Sequence, residues 1–122
     1  MENIFNEIFE SLEFDDKQTS DTERFGIYRM NSTKGCIEIV KLYKEVAYQP
    51  HIHDHVDAQF IFVLGKGKVI LGDQKIPYAP GSKATAMAGV LHGFELEEDT
   101  IFISIQTKPI QDRITGEIDI RY

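Results

Sequence analysis

The sequence predicts an all-β protein, a sandwich or closed barrel of antiparallel strands with a short helix in front of it. From Arg24 onward, short runs of β-branched and aromatic residues alternate with clusters of Gly, Pro, Asn and Asp, which is the pattern of strands separated by turns. No long helical pattern alternates with these strands, so a parallel α/β sheet is not expected. Many short strands at close spacing are typical of sandwiches and barrels.

The first 23 residues are interpreted as a helical and acidic segment, and residues 24–122 as the barrel domain. Five apolar residues recur near the N-terminus at helical spacing, with glutamates between them, which predicts a short amphipathic helix docked on the barrel or on a second subunit. These residues are Ile4, Phe5, Ile8, Phe9 and Leu12. Residues 15–21 are polar and acidic and are predicted to form a loop.

The predicted strands of the barrel are each bounded by turn residues. They are residues 25–30, 36–43, 48–53, 59–64, 68–71, 74–78, 83–87, 91–96, 100–107 and 117–121. Gly72 and Asp73 stand between two of these strands and are a hairpin signal. Residues 100–107 alternate cleanly between two faces, as expected of a strand with distinct environments on its two sides.

Composition limits the classes of function. A chain of 122 residues suits one domain with one core. The formal net charge of −7 offers no basic patch for phosphates, so nucleic acid is not an expected partner. No apolar run is long enough to span a bilayer and no secretory leader is visible, so a cytoplasmic protein without a membrane partner is expected. The single cysteine, Cys36, permits no intrachain disulfide and is expected in the core.

Three of the four histidines occupy alternate positions of one short stretch, at His51, His53 and His55, and the fourth is His92. Imidazole is the commonest metal ligand in proteins because one ring nitrogen carries a lone pair at neutral pH. Alternate residues of an extended chain point to the same side, so a His-x-His pair aims two imidazoles at one point. Adding His92 and Gln59 gives three nitrogens and one oxygen, a set suited to iron, nickel, zinc, copper or manganese. The alternative is that the histidines line one exposed strand edge.

The stretch with these histidines resembles the first motif of the cupin family. His53-Asp54-His55 is followed by three residues and then by Gln59, and the following strand ends in Gly65-Lys66-Gly67. The family usually has glutamate where Gln59 stands. A rival register uses His51 and His53 with five residues before Gln59, but the three-residue gap favours His53 and His55.

A later stretch has the spacing of the family's second motif. Gly81 is followed by five residues, by Met87-Ala88-Gly89, by two further residues and by His92. Met87 replaces the usual proline and Ser82 a frequent aspartate, and both changes affect a turn. Two motifs in this order, over about residues 35–107, are a more specific signal than either alone. The chain thus resembles a small single-domain cupin, which implies an antiparallel double-stranded β-helix, or jelly-roll barrel.

The resemblance implies that His53, His55, Gln59 and His92 bind a divalent transition metal, with His51 beside the site or exposed on its strand. A glutamine ligand is neutral and takes no proton, so the metal keeps its full +2 charge and favours an anionic or chelating ligand. The motifs do not identify the catalytic residues. The candidates are Asp57, His51 and Tyr48.

The resemblance also implies a class of reaction. Small cupins similar to this chain include enzymes of uronate and sugar-acid metabolism. The expected function is therefore isomerase or lyase chemistry on a small, polar, oxygen-rich substrate such as a sugar acid or keto acid, with the metal as Lewis acid. The alternatives are a dioxygenase using iron, nickel, copper or manganese, a non-catalytic module that binds a metal or small ligand, and a structural cupin without metal. Small cupins often dimerise, so a homodimer is expected, with contacts from the alternating Ile118, Ile120 and Tyr122.

Overall fold

Two antiparallel sheets face each other in the part of the chain that the computed structural model describes, which is residues 4–5, 8, 12–21, 24–32, 34–110, 114–115 and 117–122. The strands are β1 (Leu12–Asp21), β2 (Phe25–Ser32), β3 (Cys36–Leu42), β4 (Ala58–Leu64), β5 (Gly67–Leu71), β6 (Gln74–Tyr78), β7 (Lys83–Ala86), β8 (His92–Leu96) and β9 (Thr100–Gln106). One sheet has the order β1-β2-β3-β9-β4-β7 and the other the order β6-β5-β8. The paired strands are antiparallel, and the predicted all-β antiparallel fold is confirmed.

The main core lies between the sheets and is rich in aromatic rings. Alternate residues of β4, namely Ala58, Phe60 and Phe62, enter it from the larger sheet. Val69 and Tyr78 enter it from the smaller sheet, and the rings of Phe62 and Tyr78 stack with centroids 4.0 Å apart. Burying one such side chain contributes about 1.5–3 kcal/mol, so these contacts hold the two sheets together.

The larger sheet is apolar on its outer face as well. Ile37 from β3 and Ile105 from β9 pack there against Phe5 and Ile8, which are 2% and 0% exposed. Ile61 from β4 packs against the same group. Because β4 buries both faces in this region, its sequence is almost continuously apolar.

The acidic N-terminal segment differs from its prediction. Residues 15–21, predicted as a loop, belong to β1, which pairs with β2 from Leu12 opposite Ser32 to Asp21 opposite Gly26. The loop prediction is therefore wrong. An edge strand needs only main-chain hydrogen bonds to its single neighbour, and charged residues are common at such positions, so composition did not reveal it.

Two further predicted strands, residues 48–53 and 117–121, contribute isolated bridges in place of regular ladders. The bridges join His51 to His92 and Ile52 to Arg121. Pro50 has no N–H to donate, which limits the extension of a ladder at this point. Both bridges lie in the histidine segment, so its position is set by a few main-chain contacts.

The predicted N-terminal helix lies mostly outside the described residues. Ile4, Phe5 and Ile8 have helical backbone, and Phe5 and Ile8 dock on the barrel. The extent of the helix and a domain boundary after residue 23 remain predictions. Among the described residues, no helix is long and apolar enough to cross a bilayer.

Gly65 and Gly81 provide a matched test of packing beside β4. Their φ angles are +94° and +93°, a conformation that costs other residues about 1–2 kcal/mol. A Cβ on Gly65 would lie 2.4 Å from the main-chain oxygen of Asp99, whereas a Cβ on Gly81 would meet nothing within 4 Å. We expect Gly65→Ala to lower the free energy of unfolding by about 2 kcal/mol more than Gly81→Ala. Urea denaturation of both variants measures this difference, and equal losses would contradict the packing argument.

Candidate metal centre

Three histidines meet beside the main core. His51 and His53 lie on the segment that leads into β4, and His92 is the first residue of β8. The main chains of His51 and His92 exchange two hydrogen bonds of 2.9 Å. Opposed residues of an antiparallel pair place their side chains on the same side, and His53, two residues further on, points the same way. The three ring centroids are consequently 4.5 to 4.8 Å apart.

The Nε2 atoms of His51 and His53 face each other at 3.2 Å. The Nδ1–H of His53 donates to the carbonyl oxygen of Asp119 at 2.5 Å, and Nδ1 of His51 lies 3.3 Å from the carbonyl oxygen of Gln49. A neutral imidazole carries one N–H, so protonation at both Nδ1 atoms leaves two lone pairs facing each other. In this pair of tautomers both Nε2 atoms are acceptors, and a cation between them would bind both lone pairs.

Burial favours the neutral form of two of these imidazoles. Burial, and then the neighbouring imidazole of His53, lowers the pKa of His51. Burial, and then the imidazoles of His51 and His53, lowers the pKa of His92 to about 3. A metal binds only the neutral ring, so at neutral pH both rings are in the state that a metal requires.

One pair of nitrogens in the group has the spacing of two ligands on one divalent transition metal. Nitrogen ligands about 2.0–2.1 Å from one ion, at octahedral or tetrahedral angles, lie roughly 2.9–3.4 Å apart, and the facing Nε2 atoms of His51 and His53 fall in this range at 3.2 Å. One ring nitrogen of each histidine lies within 4.8 Å of the others. Nδ1 of His92 is buried and makes no hydrogen bond of ordinary geometry within the described residues, and Val90 is its one backbone neighbour with an effect on its pKa.

Aromatic rings form the inner wall of the histidine group. The ring centroid of Phe60 lies 5.7 Å from that of His92. Phe60 in turn contacts Phe94 at 5.4 Å and Phe102 at 5.3 Å. The group therefore rests against the core, and the same rings that join the two sheets keep water away from one side of it.

The structure does not bring His55 into this group. His55 is exposed, and its main-chain N–H donates to the carboxylate of Asp119 at 2.8 Å. It lines a cavity of about 290 Å³ together with Lys108, Pro109, Ile110, Glu117, Ile118 and Asp119. The histidines that meet are those of the rival register, His51 and His53.

Gln59 lies on the face of β4 that is turned away from the histidines. It stands opposite Ile105 in the pairing of β4 with β9, and Ile105 belongs to the outer apolar group. Successive strand residues alternate between faces, and it is the neighbouring Phe60 that points to His92. Of the predicted ligands, the structure groups His53 and His92, and it adds His51.

The other two catalytic candidates serve as links between segments. Asp57 accepts a hydrogen bond from the N–H of Ala88 at 2.7 Å. The hydroxyl of Tyr48 donates to the carbonyl oxygen of Arg24 and accepts from the N–H of Tyr43 at 2.8 Å, and burial raises the pKa of Tyr48. These contacts fix the positions of both side chains, and a catalytic role for Asp57 or Tyr48 stays a prediction.

A second polar group is buried inside the barrel. Glu38 accepts hydrogen bonds from Nε of Arg29 at 2.6 Å and from Nε2 of Gln106 at 2.8 Å. Gln106 also donates to the hydroxyl of Ser104 at 3.1 Å. Ser104 stands opposite Phe60 in the pairing of β9 with β4, and Phe60 also neighbours His92. The paired charges satisfy each other, as a buried carboxylate requires.

Sequence reasoning missed the contribution of residues 117–122. Asp119 contacts both His53 and the turn after it, although it lies far along the chain. A contact of this kind has no short-range signal, because nothing in the local pattern around Asp119 indicates its partner. Only the tertiary structure identifies it.

Comparisons with known proteins agree with this architecture. No protein-family model and no curated protein sequence matches the chain. Among solved structures, KdgF from Halomonas sp. matches with a TM-score of 0.64 and 24% identity, over 75% of this chain and 84% of that chain. The capsular polysaccharide assembling protein CapF from Staphylococcus aureus matches with a TM-score of 0.66 and 16% identity, over 88% of this chain and 31% of CapF.

A third match is oxalate decarboxylase from Bacillus subtilis, in a variant form, with a TM-score of 0.66 and 14% identity over 78% of this chain and 28% of that chain. The chain thus spans about a third of the length of CapF and of oxalate decarboxylase. All three proteins have the cupin fold. The chain described here has the cupin fold as well, and the resemblance seen in its sequence motifs is confirmed.

The lowered pKa of His92 predicts how acid affects the metal-free protein. The unfolded chain binds a proton at this histidine below about pH 6.5, whereas folded His92 stays neutral down to about pH 3. Its contribution therefore lowers the free energy of unfolding as pH falls between these values, by up to about 1.4 kcal/mol per pH unit. Urea denaturation in the presence of a chelator at several pH values measures this effect. As pH falls, the free energy of unfolding of His92→Gln should decrease less steeply than that of the wild type. Parallel pH profiles would contradict the prediction.

Proposed function

We propose that this cupin-fold chain binds one divalent transition metal through His51, His53 and His92 and uses it as a Lewis acid on a small, oxygen-rich substrate such as a sugar acid or keto acid. The observation that carries the proposal is the pair of facing Nε2 atoms, 3.2 Å apart, with both Nδ1 atoms directed to carbonyl oxygens. Imidazole donors suit iron, nickel, zinc and copper, and manganese is a further candidate. One solved structure of the similar oxalate decarboxylase is described by its Mn(II) centres, which supports a metal in this fold.

The chain supplies an oriented set of donors. The carbonyl oxygen of Asp119 holds the ring of His53, and the bridge to His51 holds His92. Three protein ligands leave coordination positions for a substrate. Because the group contains no carboxylate within the described residues, the +2 charge is not reduced, which favours an anionic or chelating oxygen compound.

The surroundings support Lewis-acid chemistry. A bound divalent metal would polarise a substrate carbonyl or carboxylate oxygen. Phe60 and the rings behind it exclude water from one side of the site, and charge interactions are stronger where water is excluded. With all three imidazoles as ligands, none of them is free to accept a proton, so we infer that proton transfer uses a group on the substrate or solvent. The homodimer, the cytoplasmic location and the lack of a nucleic-acid partner remain predictions.

Single substitutions distinguish the two histidine registers. We expect the wild type, after exposure to Zn²⁺ or Mn²⁺ and dialysis, to hold close to one ion per chain. Replacing any of His51, His53 or His92 by alanine should remove most of this metal, because two imidazoles alone bind weakly. Elemental analysis of each purified protein measures the metal content.

Two matched variants serve as controls for that measurement. His55→Ala removes an exposed imidazole from the same segment, and Gln59→Ala removes an amide from the opposite face of β4. Both should retain the metal of the wild type. If His55→Ala loses the metal while His51→Ala keeps it, the ligand set proposed here is wrong and the register with His53 and His55 applies.

Turnover separates an enzyme from a binding module. We expect the metal-loaded protein to convert at least one member of a panel of sugar acids and keto acids, and to lose this activity after chelation and in His53→Ala. Products are followed by NMR and oxygen by electrode. Oxygen uptake would favour a dioxygenase over Lewis-acid chemistry. A ligand-dependent rise in melting temperature without conversion would replace the enzyme proposal by a binding module.

A further inference from the structure

Residues 117–122, called the strap below, lie against the segment that carries two of the histidines. The N–H of Ile52 donates to the carbonyl oxygen of Arg121 at 2.6 Å, and the N–H of Arg121 donates to that of Ile52 at 2.8 Å. Ile52 stands between His51 and His53, so this bridge fixes the strap at the point where both imidazoles originate. The ring of Tyr122 lies 6.2 Å from that of His51 between centroids.

Asp119, in the strap, holds His53 with both its main chain and its side chain. Its carbonyl oxygen accepts the hydrogen bond from Nδ1 of His53. Its two carboxylate oxygens accept hydrogen bonds from the N–H groups of Asp54, at 2.9 Å, and His55, at 2.8 Å. Its own N–H donates to the carbonyl oxygen of Ile110 at 2.8 Å. One residue therefore fixes the ring and the turn that follows it.

We infer that Asp119 is a positioning residue for the metal site. Its carbonyl oxygen selects the tautomer of His53 in which Nε2 carries the lone pair. Its carboxylate binds the N–H groups of Asp54 and His55 and so fixes the position of that carbonyl oxygen. A hydrogen-bond acceptor on the second ring nitrogen of a ligating histidine fixes tautomer and orientation, and its loss typically weakens metal binding by about 10–100-fold. The inference rests on the ligand set of the proposed function.

Arg121 provides a matched comparison within the strap. Its guanidinium group pairs with the carboxylate of Asp54 at 2.8 Å, and both side chains are exposed. Exposed ion pairs contribute little. The bridge between Arg121 and Ile52 uses main-chain atoms only, so Arg121→Ala removes a strap side chain without touching the contact to His53.

The test compares Zn²⁺ affinity in Asp119→Ala, Asp119→Asn and Arg121→Ala, by competition with a chromophoric chelator at a temperature where every variant is folded. We expect the Kd of Asp119→Ala to rise about tenfold, the lower end of the range for such residues. The Kd of Asp119→Asn should lie between those of the wild type and Asp119→Ala, because the single amide oxygen of asparagine accepts from one of the two N–H groups. Arg121→Ala should change the Kd less than about threefold.

The tautomer of His53 provides a second measurement, which a purely structural role would not move. In metal-free protein, ¹⁵N NMR should show protonation at Nδ1 in the wild type and a mixture of Nδ1 and Nε2 forms in Asp119→Ala. The inference is overturned if Asp119→Ala and Arg121→Ala weaken Zn²⁺ binding equally, or if His53 keeps one tautomer throughout. If the wild type binds no Zn²⁺, the proposed function fails, and the tautomer comparison alone decides whether Asp119 orients His53.

Discussion

The paired main-chain hydrogen bonds between His51 and His92 are the contact on which the site depends. They join the segment before β4 to the first residue of β8, and these strands belong to different sheets. The bridge holds because the aromatic rings of Phe60 and Phe94, one from each sheet, pack in the common core. The hydrophobic packing of the barrel thus determines the distance between imidazoles that are far apart in sequence.

The same packing determines the chemistry of the imidazoles. His92 is 3% exposed, and removing it from water disfavours its charged form. A buried neutral imidazole is a better metal ligand than a solvated one that is partly protonated. The molecule therefore gains a donor at neutral pH from a residue whose burial costs it stability in acid. The polar contacts of His53 complete the arrangement, since its ring is oriented by a carbonyl oxygen and not by packing alone.

Much of the fold was predictable from the sequence, because apolar alternation and turn residues act locally. The pairing of His53 with His92 was also predictable, but the third histidine of the group was not. His51 and His55 are each two residues from His53, so strand alternation places all three on one side and cannot choose between them. The choice depends on the bridge to His92 and on the contact of the His55 main chain with Asp119, and both are tertiary.

Gln59 and β1 show two other limits. Counting along an extended chain puts Gln59 on the side of His53, but the bend after His53 interrupts that count and turns the amide toward Ile105. The polar strand β1 pairs with β2 through main-chain hydrogen bonds. Any residue type except proline can form such bonds, so amino-acid composition does not predict them. In both cases the main-chain conformation or pairing decides the outcome, and the pattern of side chains does not predict it.

The proposed binding of one metal ion by His51 and His53 has a consequence for how long the folded chain persists. An ion that binds the folded form alone lowers its free energy by an amount that grows with the logarithm of the free ion concentration. Under the proposed ligand set, the resistance of this chain to heat and proteolysis should therefore follow the supply of metal in its surroundings.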